Sequence, residues 1–186
     1  DFTSTSTSSQ TLTGTTGNNT LIGGSGADTF NGSSGNDSLY GHSGDDTFNI
    51  TSKSGSFTDT INGGAGTDTL NVSYSALSNF VSISYDGGYV AGGSWTLVDS
   101  ADGTLNFTNI ETITFDNISY EIIYSNTSGD VRSDIHNASG RIGGALYSSS
   151  ENKAVLFDNG GRTNLTLTSL QSYGGQEGAN TVVTGS

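Results

Sequence analysis

Large apolar residues recur along the first third of the chain at a spacing that fits neither a helix nor a long strand. Leu21, Phe30, Leu39, Phe48, Ile61 and Leu70 stand nine residues apart, except for one interval of thirteen. Each follows a Thr or Ser and precedes Asn, Ile or Tyr. Such a triplet suits a short strand with its central side chain turned inward. The six residues between triplets are too few and too glycine-rich for a helix. Short strands joined by tight turns are therefore predicted. Beyond residue 72 longer alternating runs predict strands over residues 80–85, 94–99, 104–108, 110–115 and 118–124, with one helical turn over 73–78. A polar stretch over 126–142 reads as a boundary, followed by strands over 145–148, 154–158, 164–170 and 181–184. Residues 1–13 alternate and predict an edge strand or a lead-in.

Aligned on the apolar residue, the copies are 14–22 (GTTGNNTLI), 23–31 (GGSGADTFN), 32–40 (GSSGNDSLY) and 41–49 (GHSGDDTFN). The register slips by residues 50–53 and resumes as 54–62 (SGSFTDTIN) and 63–71 (GGAGTDTLN). Position six is Asn19, Asp28, Asp37, Asp46, Asp59 and Asp68. Glycines early in each copy permit the positive φ of a tight turn and leave its carbonyls accessible.

This pattern, G-G-x-G-x-D-x-U-x, resembles the repeat-in-toxin (RTX) nonapeptides of bacterial secreted proteins, over residues 14–71. The resemblance implies a parallel β-roll in which two copies form one coil, so that copy n stacks on copy n+2 at ~4.8 Å. The whole chain is then expected to be all-β. A parallel β-roll of about three coils would occupy 14–71, with a β-rich cap over 72–125 and a C-terminal β region of unknown role over 126–186. Alternate stacking gives two columns, Asn19–Asp37–Asp59 and Asp28–Asp46–Asp68. The resemblance also implies Ca²⁺ held by these side chains and by carbonyls of positions one to four. Those are Gly23, Gly24, Ser25 and Gly26 in one turn, Gly32 and Ser34 in the next, then Gly41 and Ser43, and Gly63 and Ala65. Hard oxygens at ~2.3–2.6 Å are what calcium prefers. The Asn19/Asp37 pair brings one carboxylate where the others bring two. The Asp37/Asp59 pair lacks the glycine turn, because residues 54–57 replace it.

Charge sharpens the picture. The net charge is −13, and residues 1–130 carry fourteen acids against one base, Lys53. So acidic a surface repels nucleic acid and anionic lipid. There is no Cys, hence no disulfide, and no apolar run approaches the ~20 residues of a membrane span. The chain has no Met and is expected to be a processed product or an excised segment.

Catalytic signals are weak. Residues 41–45 (GHSGD) approach a serine elbow, but Asp45 stands where a glycine is needed and the segment lies in register with the repeat. His42 and His136 are the only histidines and have no evident partner. The expected function is an extracellular or cell-surface, non-catalytic structural or adhesive module that folds on calcium. Its partners would be further copies of the chain, or a surface glycan or protein. The alternative is a secretion, stability or substrate-binding module accessory to a secreted enzyme, such as one acting on polysaccharide. A third reading, ice binding by a flat Thr-bearing face, has only a short rank of threonines to support it.

Overall fold

In the computed structural model of the chain, the described residues are 1–51, 53, 55–75, 79–86, 94–101, 103–115, 118–123, 144–148, 153–157 and 168–169. The nine-residue period becomes short strands, as the apolar triplets require: β1 (Phe2–Thr3), β2 (Thr11–Thr13), β3 (Thr20–Ile22), β4 (Thr29–Asn31), β5 (Ser38–Ser43), β6 (Thr47–Ile50), β7 (Phe57–Ala65) and β8 (Thr69–Val72). Odd strands stack in one sheet and even strands in the other, all parallel. Leu21 pairs with Leu39 and Phe30 with Phe48, eighteen residues on; Leu39 pairs with Ile61 and Phe48 with Leu70, twenty-two on. The four added residues fall between the apolar positions of β6 and β7, and the pairing of both strands with their neighbours keeps its register. Residues 1–13 supply an edge strand to each sheet, through β1 and β2.

The coil path runs on past residue 72. β11 (Gly103–Thr108) lies parallel to β7, and β12 (Thr112–Phe115) lies parallel to β8. Between β8 and β11 the chain makes an antiparallel excursion, β9 (Phe80–Asp86) and β10 (Ser94–Asp99), which extends the first sheet. The second sheet is extended antiparallel by β13 (Ile118–Ile123), β14 (Gly144–Ser148), β15 (Lys153–Phe157) and β16 (Thr168–Ser169). Strand-rich and parallel where the repeats lie, the fold is the expected all-β roll. Residues 73–75 are not helical, and the rest of the expected helical turn, 76–78, lies outside the described residues. So does the strand expected over 181–184.

The interior is a file of position-eight side chains. Leu21, Phe30, Leu39, Phe48, Ile61 and Leu70 are all buried, with Leu12 above them and Leu105, Phe107 and Ile113 below. Phe30 and Phe48 stack at 4.7 Å between ring centroids. Outside, asparagines at position nine form a ladder: Asn49 donates to Asn31 at 3.0 Å and Asn71 to Asn49 at 2.9 Å. Parallel in-register stacking thus satisfies apolar and polar faces with the same repeat.

Candidate metal centre

Position six immediately precedes its strand in every copy but one, Asp59 lying within β7, and a repeated bond places its side chain. One carboxylate oxygen accepts the backbone N–H of position six in the preceding coil. Gln10 N–H donates to Asp28 Oδ1 at 2.8 Å, Asp28 N–H to Asp46 Oδ1 at 2.7 Å, and Asp46 N–H to Asp68 Oδ1 at 2.8 Å. In the other column Asn19 N–H donates to Asp37 Oδ1 at 3.0 Å and Asp37 N–H to Asp59 Oδ1 at 2.9 Å. The structure therefore assembles both columns that alternate stacking requires.

The second oxygen turns back over the first glycine of its own copy. Gly24 N–H donates to Asp28 Oδ2 at 2.9 Å. A methyl placed on Gly23 would lie 2.6 Å from Asp28 Oδ2 and 2.8 Å from the carbonyl oxygen of Gly41. At Gly41 it would overlap Asp46 Oδ2 and the Gly63 carbonyl, and at Gly63 it would overlap Asp68 Oδ2 and the Asn109 carbonyl. At Gly32 it would lie 2.8 Å from Asp37 Oδ2. The missing side chain thus leaves room where a carboxylate oxygen and, in the Asp28 column, a carbonyl of the next coil converge. Position two turns the backbone the other way: Ser33 and His42 take φ of 70° and 75°, and Gly64 takes 105°. His42 is exposed at this turn.

Other expected ligands are engaged across coils. Ser25 N–H donates to the Ser6 carbonyl at 2.9 Å, Ser43 N–H to the Gly24 carbonyl at 3.3 Å, and Gly44 N–H to the Ala65 carbonyl at 2.9 Å. Gly26 packs against the backbone of Ser8, so its turn also lies in the stack. Ser34 lies with Gly32 in the turn of the other column.

Electrostatically the Asp28 column is uncomfortable. Asp46 and Asp68 are fully buried, and Oδ2 of each has no hydrogen-bond partner. Loss of water pushes the Asp46 carboxyl from 3.8 up to about 6; the Asp28 N–H opposes this, and the charges of Asp68, Asp28 and Asp45 reinforce it. Burial likewise pushes Asp68 up to about 6, opposed by the Asp46 N–H and reinforced by Glu111 and Asp45. Buried polar atoms are rarely left without a partner. Orphaned carboxylate oxygens beside carbonyls make an all-oxygen donor set that fits a hard cation. Among the described residues no three His, Asp or Glu side chains converge, so any such site must draw on the carbonyls.

Two residues in these columns escaped the sequence reading. Asp68 N–H donates to Glu111 Oε2 at 2.7 Å, and β12 stands in register on β8, so Glu111 is a further rung below Asp68. Its signal was the Glu-Thr-Ile run at 111–113, matching Asp-Thr-Leu at 68–70 but lacking glycines. The other is Lys53, whose ammonium lies 3.0 Å from Asp37 Oδ2 and 2.8 Å from Asp59 Oδ2. Burial raises the Asp59 pKa, and Lys53 and the Asp37 N–H oppose the shift.

No curated protein matches this chain. A family model described as the RTX calcium-binding nonapeptide repeat, in four copies, matches residues 13–48 and 54–72. The gap in the match spans the register slip, and both flanks coincide with the coils whose turns present the carboxylates. Residues 13–72 of this chain are an RTX calcium-binding repeat region folded as a parallel β-roll.

Proposed function

We propose that this chain is an extracellular, non-catalytic structural or adhesive module whose roll is completed by calcium along the Asp28–Asp46–Asp68 column. The observation that carries this reading is the pair of buried, partnerless oxygens, Asp46 Oδ2 and Asp68 Oδ2. Successive pairs among the carboxylates of Asp28, Asp46 and Asp68 would each hold an ion, with the carbonyls of Gly41 and Gly63, and Glu111 with the Asn109 carbonyl would close the column. When bound, calcium supplies positive charge that neutralises carboxylates of successive coils. The side chains themselves do the ordering: each Oδ1 fixes the N–H of the preceding coil, which leaves Oδ2 of Asp46 and Asp68 without a partner and available to the ion.

The non-catalytic part of the proposal rests on how the acids are used. General acid–base chemistry needs two groups whose surroundings drive their pKa values apart. Asp46 and Asp68 are instead pushed the same way by the same cause, in equivalent turns. An extracellular setting is supported by the repeat type and by millimolar calcium being available outside cells. Circular dichroism of the full chain during calcium titration, read beside light scattering, tests both halves. Gain of β signal with calcium, followed by assembly or attachment to a surface, is expected. A complete β spectrum without calcium would remove the first half, and turnover of a glycan or ester would remove the second.

A further inference from the structure

Lys53 is the single base among the first 130 residues, and it sits in the four residues that break the nine-residue register. A lysine in such a connection ordinarily keeps its ammonium in water. Here the side chain is only 1 % exposed. The ammonium donates to Asp37 Oδ2 at 3.0 Å and to the Gly35 carbonyl at 3.1 Å, and it pairs with Asp59 Oδ2 at 2.8 Å. Two carboxylate oxygens from successive coils and one turn carbonyl match the three protons of an ammonium. They are also the kinds of oxygen that the opposite column presents. The Phe57 ring, 5.0 Å from the nitrogen, lies close enough for a cation–π contact.

We infer that Lys53 is the built-in cation of the Asn19–Asp37–Asp59 column, occupying the place between Asp37 and Asp59 and keeping calcium out of it. A divalent ion within reach of both Oδ2 atoms would meet a fixed positive charge already hydrogen-bonded to one of them and ion-paired with the other. The Asp37/Asp59 pair, with its glycine turn replaced, therefore does not fit calcium while Lys53 is in place. Below Asp59 the register sets Leu105, not an acid, so no further carboxylate pair follows in this column. Calcium is thereby kept from the Asp37/Asp59 place in this column, and the slip over 50–53 is the device that delivers the substitute. The inference rests on the calcium reading only for the opposite column.

The test is calcium stoichiometry on the full chain, by isothermal titration with calcium chloride, for wild type, Lys53→Met, and Lys53→Met combined with Asp59→Asn. Lys53→Met is expected to bind one more calcium per chain than wild type, and the double variant to return to the wild-type number. Equal stoichiometry in wild type and a folded Lys53→Met would overturn the inference. Should Lys53→Met fail to fold, the side-chain ¹⁵N resonance of Lys53 in wild type decides. A slowly exchanging ammonium signal that persists, unshifted, in saturating calcium supports the assignment; its loss to solvent on adding calcium overturns it. Wild type that binds no calcium yet keeps this signal would sink the proposed function and leave the inference standing.

Discussion

Among single residues, those in the middle of the carboxylate column matter most. Asp46 and Asp68 each bond a neighbour's N–H and stand between two candidate sites, whereas Asp28 has only Gln10 above it. Asp46→Ala or Asp68→Ala strands a buried N–H, at about 1–3 kcal/mol, and removes a carboxylate from two sites. Either should raise the calcium midpoint of folding more than Asp28→Ala does, as followed by circular dichroism. Equal effects would mean that the rungs act independently. Glycines give a second contrast. Gly41→Ala should block calcium-driven folding, since its methyl overlaps Asp46 Oδ2 and the Gly63 carbonyl. Gly55→Ala, with open space at φ 73°, should cost only the ~1 kcal/mol of a strained left-handed residue. Thermal melts in saturating calcium would separate the two. At this scale the period alone located all six position-six residues. Glu111 and Lys53 were illegible because one lacks the glycines that mark a copy and the other lies in the stretch that breaks the period.

Among elements, stacking energy is concentrated where position eight is aromatic. Phe48 is fully buried and stacked on Phe30, so Phe48→Ala opens a cavity costing about 3–5 kcal/mol. Its melting temperature in calcium should fall well below that of Asn49→Ala, which removes the two half-exposed hydrogen bonds of the asparagine ladder that meet at Asn49. A larger loss from Asn49→Ala would put the outer ladder, not the core, in charge of stability. Several strands of the cap region were readable from alternation; residues 94–99 match β10 in full. Their partners were not. Phe107 finds Ile61 and Ile113 finds Leu70 after an antiparallel excursion, and alternation carries no information about which distant edge a strand will meet. The parallel pairing of β3 to β8 was legible because an exact repeat forces its own register.

For the whole molecule, proton and calcium should compete. In the metal-free fold Asp46 and Asp68 carry pKa values of about 6, above the 3.8 of an ordinary aspartate. The folded state thus binds more protons than the unfolded one. This contribution is full below about pH 4 and is lost as pH rises through about 6. With a calcium chelator present, the chain should gain β signal and melting temperature between neutral pH and about pH 4.5. With excess calcium the trend should reverse. A chelated chain that melts lower in acid would show that other groups dominate. The one-way ladder of carboxylate bonds has a further consequence. Every position-six N–H in the Asp28 column is answered by the coil that comes after it, ending in Glu111. Shortening the chain from its start would leave each remaining amide of that column answered. Shortening it from the other side, past Glu111, would leave the amide of Asp68 without its acceptor. That file of amides is a queue in which each member is held by the one behind, and its last hold is Glu111.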